Sequence, residues 1–158
     1  MNIKIIAVGK LKEKYLDDAC REYLKRLSAY NPEVVEITPE RLSDSPQEKE
    51  IENALKKEGA KILEKIPKGS RVYVLCIEGR QRSSEEFSRE IDSAKLSGYS
   101  SIVFIIGGSF GLSDEVKSAG HEKLSMSKMT FPHQVARVML LEQIYRATQI
   151  SIGTRYHK

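Results

Sequence analysis

The chain of 158 residues contains no tryptophan, only two cysteines and only three histidines. Cys20 and Cys76 lie far apart and belong to no CxxC or other metal-ligand spacing. This scarcity argues against a disulfide framework or a zinc site. We therefore predict two small core cysteines and no bound metal.

The sequence also lacks a long hydrophobic run. Its first residues, MNIKIIAVGK, are too interrupted for a secretion signal, and no later run approaches the roughly 18 apolar residues that cross a bilayer. We therefore expect a cytoplasmic protein with no membrane segment.

The chain contains enough hydrophobic residues to form one core. Hydrophobic residues make up 40% of the chain, and no linker, repeat or low-complexity segment divides it. At this length the composition predicts a single domain over residues 1–158.

Positive charge is concentrated at the C-terminal end. The formal net charge is +4, and residues 126–158 hold five basic residues (Lys128, Arg137, Arg146, Arg155 and Lys158) against one acid, Glu142. This segment is a candidate face for phosphate, although ordinary solvated charges would give the same count.

Short β-rich runs alternate with helical patterns along the chain. Strands are predicted at 3–8, 34–38, 72–77 and 102–106, with a weak fifth strand and a loop within 123–131. Helices are predicted at about 15–30, 45–66, 83–98, 113–119 and 133–148. The alternation predicts an α/β fold with a mainly parallel sheet of about five or six strands and helices on both faces.

Two helix starts carry recognisable capping signals. Ser45, followed by Pro46 and Glu48, suggests a capping box at the second helix. Ser83 with Glu86 suggests another at the third, which we expect to stop at Gly98.

The segment IVFIIGGSFGLSD (102–114) places a glycine-rich turn directly after a buried strand. Ligands of parallel sheets bind at the carboxyl ends of the strands, which directs attention to the loops after Val8, Ile77 and Ile106. The turn follows the fourth strand and lacks GK[ST], so it fits neither a Rossmann fingerprint nor a P-loop. Alternatively, its glycines only permit a tight turn with positive φ.

Four separated motifs carry a family resemblance that covers nearly the whole chain. They are AVGKLKEKY, IIGGSFGL, LSMSKMTFPHQVARVMLLEQIYRA and the final RYHK. In this order the chain resembles the SPOUT (α/β-knot) methyltransferases, and among them those that methylate N3 of a pseudouridine in 23S ribosomal RNA. The resemblance implies a C-terminal trefoil knot, a homodimer, S-adenosylmethionine as cofactor and a substrate within the 70S ribosome.

The resemblance also implies roles for particular residues. The cofactor positions fall on Leu75, Gly107, Met126, Ser127, Lys128, Met129, Thr130 and Phe131. At the reacting base, His157 is the leading candidate to orient the base or assist proton removal, Tyr156 to stack on it and Arg155 to contact phosphate. An alternative for these last three is a frayed terminus without function.

The residue types alone leave other interpretations open. Leu75, Met126, Met129 and Phe131 would form an apolar slot for an adenine ring, but methionines also fill gaps in cores. The final helix is apolar nearly all round, as a dimer interface or deep burial would require. Arg137 and Arg146 could bind backbone phosphate across such a dimer, although arginines on a helix surface are often only solvated. We assign His133 and His121 no chemistry.

Two rival functions remain open on the sequence alone. The chain could be a noncatalytic RNA-binding or ribosome-associated protein that uses the same basic end, or an enzyme for another nucleotide. Binding of one S-adenosylmethionine per subunit would distinguish the methyltransferase from both.

Overall fold

A computed structural model describes all residues, 1–158. Five strands alternate with five α-helices. In chain order they are β1 (Asn2–Val8), α1 (Lys14–Arg26), β2 (Glu33–Ile37), α2 (Glu48–Glu64), β3 (Ser70–Arg80), α3 (Ser84–Leu96), β4 (Ser101–Ile106), α4 (Asp114–Ala119), β5 (Glu122–Leu124) and α5 (His133–Ser151). A single 3-10 turn, Ser28–Tyr30, separates α1 from β2.

The strands form one sheet in the order β2-β1-β4-β3-β5, and every neighbouring pair is parallel. β4 lies at the centre, and all six of its residues are buried, which explains its uninterrupted apolar sequence. The predicted α/β class, parallel pairing and strand number are confirmed.

Helices cover both faces of the sheet. Along β1, Ile5 faces the core under α1, α3 and α5, which also contains Phe104 and Ile144. The next residue, Ile6, faces the smaller core under α2 and α4, with Ile62 and Val116. Because successive side chains of a strand point to opposite faces of the sheet, β1 contributes residues to both cores, as the sequence predicts.

The capping predictions have different outcomes. Ser83 accepts a hydrogen bond from the backbone N–H of Glu86, whose side chain returns to Ser83, so the predicted box at α3 is confirmed. The predicted box at Ser45 is wrong, because α2 begins three residues later at Glu48 without a side-chain cap. Its Glu50 instead accepts from the backbone and hydroxyl of Ser43, which holds the preceding loop against the helix.

Two elements, β3 and α5, are longer than predicted. β3 continues to Arg80, and α5 continues to Ser151. Gly79 permits the extension of β3, because a Cβ there would lie 2.7 Å from the backbone of Leu124 in β5. No helix has both the length and the apolar character needed to cross a membrane.

Arg137 in α5 is buried, with only 3% of its surface exposed. Its Nη1 donates to Glu36 Oε2 at 2.8 Å in β2, and its Nη2 donates to the Gly9 carbonyl at 3.1 Å after β1. The predicted role of Arg137 as a surface phosphate ligand is therefore wrong. The guanidinium instead holds the start of α5 against the carboxyl ends of β1 and β2.

We expect Glu36→Ala to destabilise the fold, because it leaves the buried Arg137 without its carboxylate. A hydrogen bond to a charged group contributes about 1.5–3 kcal/mol, and the partial exposure of Glu36 puts the loss at the lower end of that range. Urea denaturation of the variant and of the wild-type protein would measure the loss of unfolding free energy.

Glu33→Ala is the matched control, since Glu33 lies on the same strand and pairs with Lys4 at 3.5 Å on the surface. That change should alter stability by less than about 1 kcal/mol. Equal losses in the two variants would contradict the structural role of the Arg137 pair.

Candidate functional site

The carboxyl ends of β3 and β4 open into a cavity of about 850 Å³. Its walls are the end of β3 (75–78), the loop after β4 (106–112), the segment after β5 (124–132) and the start of α5. A cavity of this size at this edge of a parallel sheet suits a small organic ligand. We call it the first cavity.

All but one of the predicted cofactor residues line the first cavity. They are Leu75, Gly107, Met126, Ser127, Met129, Thr130 and Phe131. Lys128, the remaining one, is exposed and does not contribute to the wall. The structure thus gathers residues from three separated segments into one wall.

The glycine loop is closed by a contact between its own ends. A Cβ on Gly107 would lie 2.6 Å from the Gly111 carbonyl oxygen, too close for any side chain. Gly108 and Gly111 form an isolated antiparallel bridge, and of the loop's glycines only Gly111 has a positive φ, +84°. Positive φ therefore explains Gly111, while Gly107 is required by close packing.

Two serines shape the segment after β5. The Ser125 hydroxyl donates to the Ser127 carbonyl at 3.0 Å, and the Ser127 hydroxyl accepts from the backbone N–H of Met129 at 3.0 Å. Such local bonds stabilise a tight turn. The Ser127 side chain is thus engaged in the turn.

The first cavity combines an apolar interior with a charged rim. Leu75, Met126 and Phe131 supply apolar surface, and Lys117 at the rim donates to Glu78 at 2.6 Å. The hydrogen bond from Lys117 lowers the pKa of Glu78. An apolar slot bordered by backbone polar groups can hold a flat heterocycle.

Cys76 also lines this cavity and is only half-buried, so its predicted place in the core is wrong. Burial raises the pKa of its thiol, which keeps the thiol uncharged near neutral pH. Cys20 is buried as predicted.

His133, for which the sequence predicts no chemistry, lines the first cavity at the start of α5. Burial lowers the pKa of its imidazole, and the positive charges of Arg137 and Lys12 lower it further. The ring is therefore neutral near pH 7. The sequence does carry one signal for a role of His133 at the cofactor site, which is its position just after the SMSKMTF segment.

A second cavity, of about 500 Å³, lies beside the first at the carboxyl ends of β1 and β2. Gly108, Ser109, Phe110 and His133 line both cavities. The two spaces are therefore neighbours across the glycine loop and the first residue of α5.

The C-terminal tail packs against its own chain. The Tyr156 ring meets the Tyr145 ring edge-on at 4.9 Å, and its hydroxyl lies 3.2 Å from Glu142 Oε1. Burial is the main cause that raises the pKa of Tyr156, to about 12. A phenol in this setting stays protonated at physiological pH.

His157 is also held in place. Its Nε2 lies 2.8 Å from Glu85 Oε1, and its Nδ1 lies 3.3 Å from Nη1 of Arg146. Arg146 pairs in addition with Glu142 at 2.6 Å, so its guanidinium is engaged within the chain and is not a free phosphate ligand. Only Arg155 of the three predicted tail residues is exposed without a partner.

The predicted tail residues thus lie together but not at the cavity of their own chain. Tyr156 packs beside Tyr145, and α5 reaches the first cavity at Ala136, nine residues earlier. At a helical rise of about 1.5 Å per residue, Ala136 and Tyr145 are about 13 Å apart along α5. No group of three or more His, Cys, Asp or Glu side chains is arranged to hold a metal ion.

Comparison with known proteins gives full-length matches. The family model described as "Predicted SPOUT methyltransferase" matches residues 1–157. Proteins of Bacillus thuringiensis (strain Al Hakam), Bacillus anthracis and Bacillus cytotoxicus, each named "Ribosomal RNA large subunit methyltransferase H", are 52% identical over 159 aligned residues. The alignments cover 100% of this chain and 100% of each relative.

The lowered pKa of His133 predicts an acid-sensitive contribution to stability. In the unfolded chain the imidazole binds a proton near its ordinary pKa of 6.5, whereas the folded state resists that proton. His133 therefore costs no stability above that pH and costs progressively more as pH falls below it.

Urea denaturation of the wild-type protein and His133→Gln at pH 7.5 and 5.5 would test this. Lowering the pH from 7.5 to 5.5 should reduce the unfolding free energy of the wild-type protein more than that of His133→Gln. A difference that is the same at both pH values would refute the neutral assignment.

Proposed function

This chain belongs to the SPOUT methyltransferase family, and from that premise we propose that it methylates N3 of a pseudouridine in 23S ribosomal RNA. The methyl donor is S-adenosylmethionine, and the substrate is the assembled 70S ribosome in the cytoplasm. The family implies the C-terminal trefoil knot. The observation that carries the proposal is the convergence of the predicted cofactor residues, Lys128 excepted, on the first cavity.

The residues of the first cavity fit this cofactor. Leu75, Met126 and Phe131 offer apolar surface to the adenine ring, and backbone groups of the glycine loop can satisfy its polar edge. The space that a Cβ on Gly107 would fill is occupied by the Gly111 carbonyl, which brings backbone to the cavity wall. S-adenosylmethionine supplies a methyl group activated by its sulfonium centre.

His133 contributes by being uncharged. A cationic imidazolium in the wall of the first cavity would repel a sulfonium, whereas the neutral ring does not. The lowered pKa of His133 thus suits a site for a positively charged ligand.

The acceptor must be positioned and must lose its imide proton. Methyl transfer is an in-line displacement, so alignment and electrostatics supply most of the acceleration. We assign the handling of the acceptor to the tail, in which His157 orients the base or assists proton removal, Tyr156 stacks on it and Arg155 contacts phosphate.

The tail acts in a homodimer in this proposal. Because Tyr156 and His157 pack away from the cavity of their own chain, we assign their action to the cavity of the other protomer. Apolar residues of α5 that the single chain leaves half-buried, among them Val138 and Met139, provide surface for such an interface.

Both rival functions lose support from the comparisons. A noncatalytic RNA-binding protein or an enzyme for another nucleotide would not be expected to match methyltransferases over its full length. The fit of the first cavity to S-adenosylmethionine points the same way.

Deleting residues 155–158 should abolish methylation while cofactor affinity falls by less than about threefold, because the tail lies outside the first cavity. Transfer to 70S ribosomes whose target pseudouridine is unmethylated would be measured with labelled S-adenosylmethionine, and cofactor binding by calorimetry. Full activity of the truncated protein, or complete loss of cofactor binding, would refute this division of roles.

Gly107→Val should lower cofactor affinity by at least ~tenfold, because the new side chain forces the loop open. Gly108→Ala is the matched control on the same loop, since its Cβ would meet Val8 only at 3.4 Å. Calorimetry would compare the two, with circular dichroism to verify folding. Wild-type affinity of the folded Gly107→Val variant would remove Gly107 from the cofactor site.

A further inference from the structure

The second cavity is not used by the proposed cofactor site. It lies between the loop after β1, the loop after β2, helix α2 and the tip of the glycine loop. Its volume of about 500 Å³ is within the range of small-ligand sites.

The second cavity borders the first along four residues. The shared wall consists of two exposed residues at the loop tip, Ser109 and Phe110, together with Gly108 and His133. A ligand in the second cavity would therefore lie next to one in the first.

Carboxyl groups face the interior of the second cavity. Glu58 is buried, and only its Oε2 is bound, by the backbone N–H of Glu40 at 2.9 Å. Burial raises the pKa of Glu58, so its carboxyl is poorly compensated by the protein alone. Glu36 commits its Oε2 to Arg137, which leaves Oε1 without a partner in the chain. These oxygens can accept hydrogen bonds from ring N–H groups.

The mouth of the cavity carries the opposite charge. Lys10 and Lys12 line it, are exposed and form no ion pair, whereas neighbouring Lys14 is neutralised by Asp18 at 2.6 Å. The backbone N–H of Lys12 donates to the Gln134 side chain, which fixes this loop to the start of α5. Free lysines at a rim suit phosphate groups.

We propose that the second cavity binds the acceptor nucleoside of the RNA, everted from its stack. The N1–H of the pseudouridine ring faces Glu58 and Glu36, so that N3 faces the first cavity, and the flanking phosphates contact Lys10 and Lys12. This assignment rests on the proposed function and leaves to the tail the side of the nucleotide that faces away from the cavity.

The decisive variants alter the second cavity and leave every residue that lines the first cavity unchanged. Thr38→Trp fills it from an exposed position, and the double change Lys10→Ala with Lys12→Ala removes the charge at its mouth. Lys57→Ala is the matched control, because Lys57 is exposed on α2 and lines neither cavity.

Thr38→Trp should reduce kcat/KM for transfer to 70S ribosomes by at least ~tenfold, with cofactor affinity within about twofold of wild type. The lysine variant should raise KM and reduce the slope of log affinity for ribosomes against log salt by about two, one for each phosphate contact. The Lys57 variant should behave as wild type.

Wild-type transfer by both cavity variants would overturn the assignment. So would loss of cofactor affinity in parallel with transfer, since the second cavity would then belong to the cofactor site. If the Trp variant does not fold, the lysine variant decides alone through KM and salt slope. Failure of the wild-type protein to methylate ribosomes would instead refute the proposed function itself.

Discussion

The buried guanidinium of Arg137 determines how the C-terminal part of the chain is arranged. It fixes the start of α5 to Glu36 and to the Gly9 carbonyl, at the carboxyl ends of β2 and β1. The preceding strand, β5, lies at the opposite edge of the sheet, beyond β3 and β4. Residues 125–132 must therefore cross three strand spacings, roughly 14 Å, along the edge where parallel sheets bind ligands. The first cavity owes a wall to this crossing, and the start of α5, where the crossing ends, contributes His133 and Gln134 to the second cavity. The crossing is fixed because separating a buried charge from its partners costs several kcal/mol, about 3–5.

The two cavities differ in a way that suits the proposed sulfonium donor and the proposed nucleotide acceptor. The first has an apolar interior and a neutral imidazole, whereas the second has carboxyl groups inside and free lysines at its mouth. Their shared wall contains Ser109 and Phe110 of the loop that Gly107 and Gly111 close. Packing in the glycine loop thus sets the distance between the two proposed ligands.

Features that depend on neighbours in sequence were predictable, and features that depend on distant contacts were not. The Ser83 cap and the buried strand β4 follow from the local sequence pattern. Of the cofactor residues that the family motifs predict, all except Lys128 line the first cavity. Arg137 was misjudged because its partner, Glu36, lies 101 residues away. The neutral state of His133 is not recognisable from the sequence, since its lowered pKa depends first on burial, which the local pattern does not reveal. The contact of His157 with Glu85 spans 72 residues and has no local signal.

The central claim is that the chain binds S-adenosylmethionine in the first cavity, and calorimetric titration of the purified wild-type protein tests it most directly. We expect saturable binding of one cofactor molecule per chain. We also expect the product, S-adenosylhomocysteine, to compete for the same site. Absence of binding, or binding that the product does not displace, would contradict the claim.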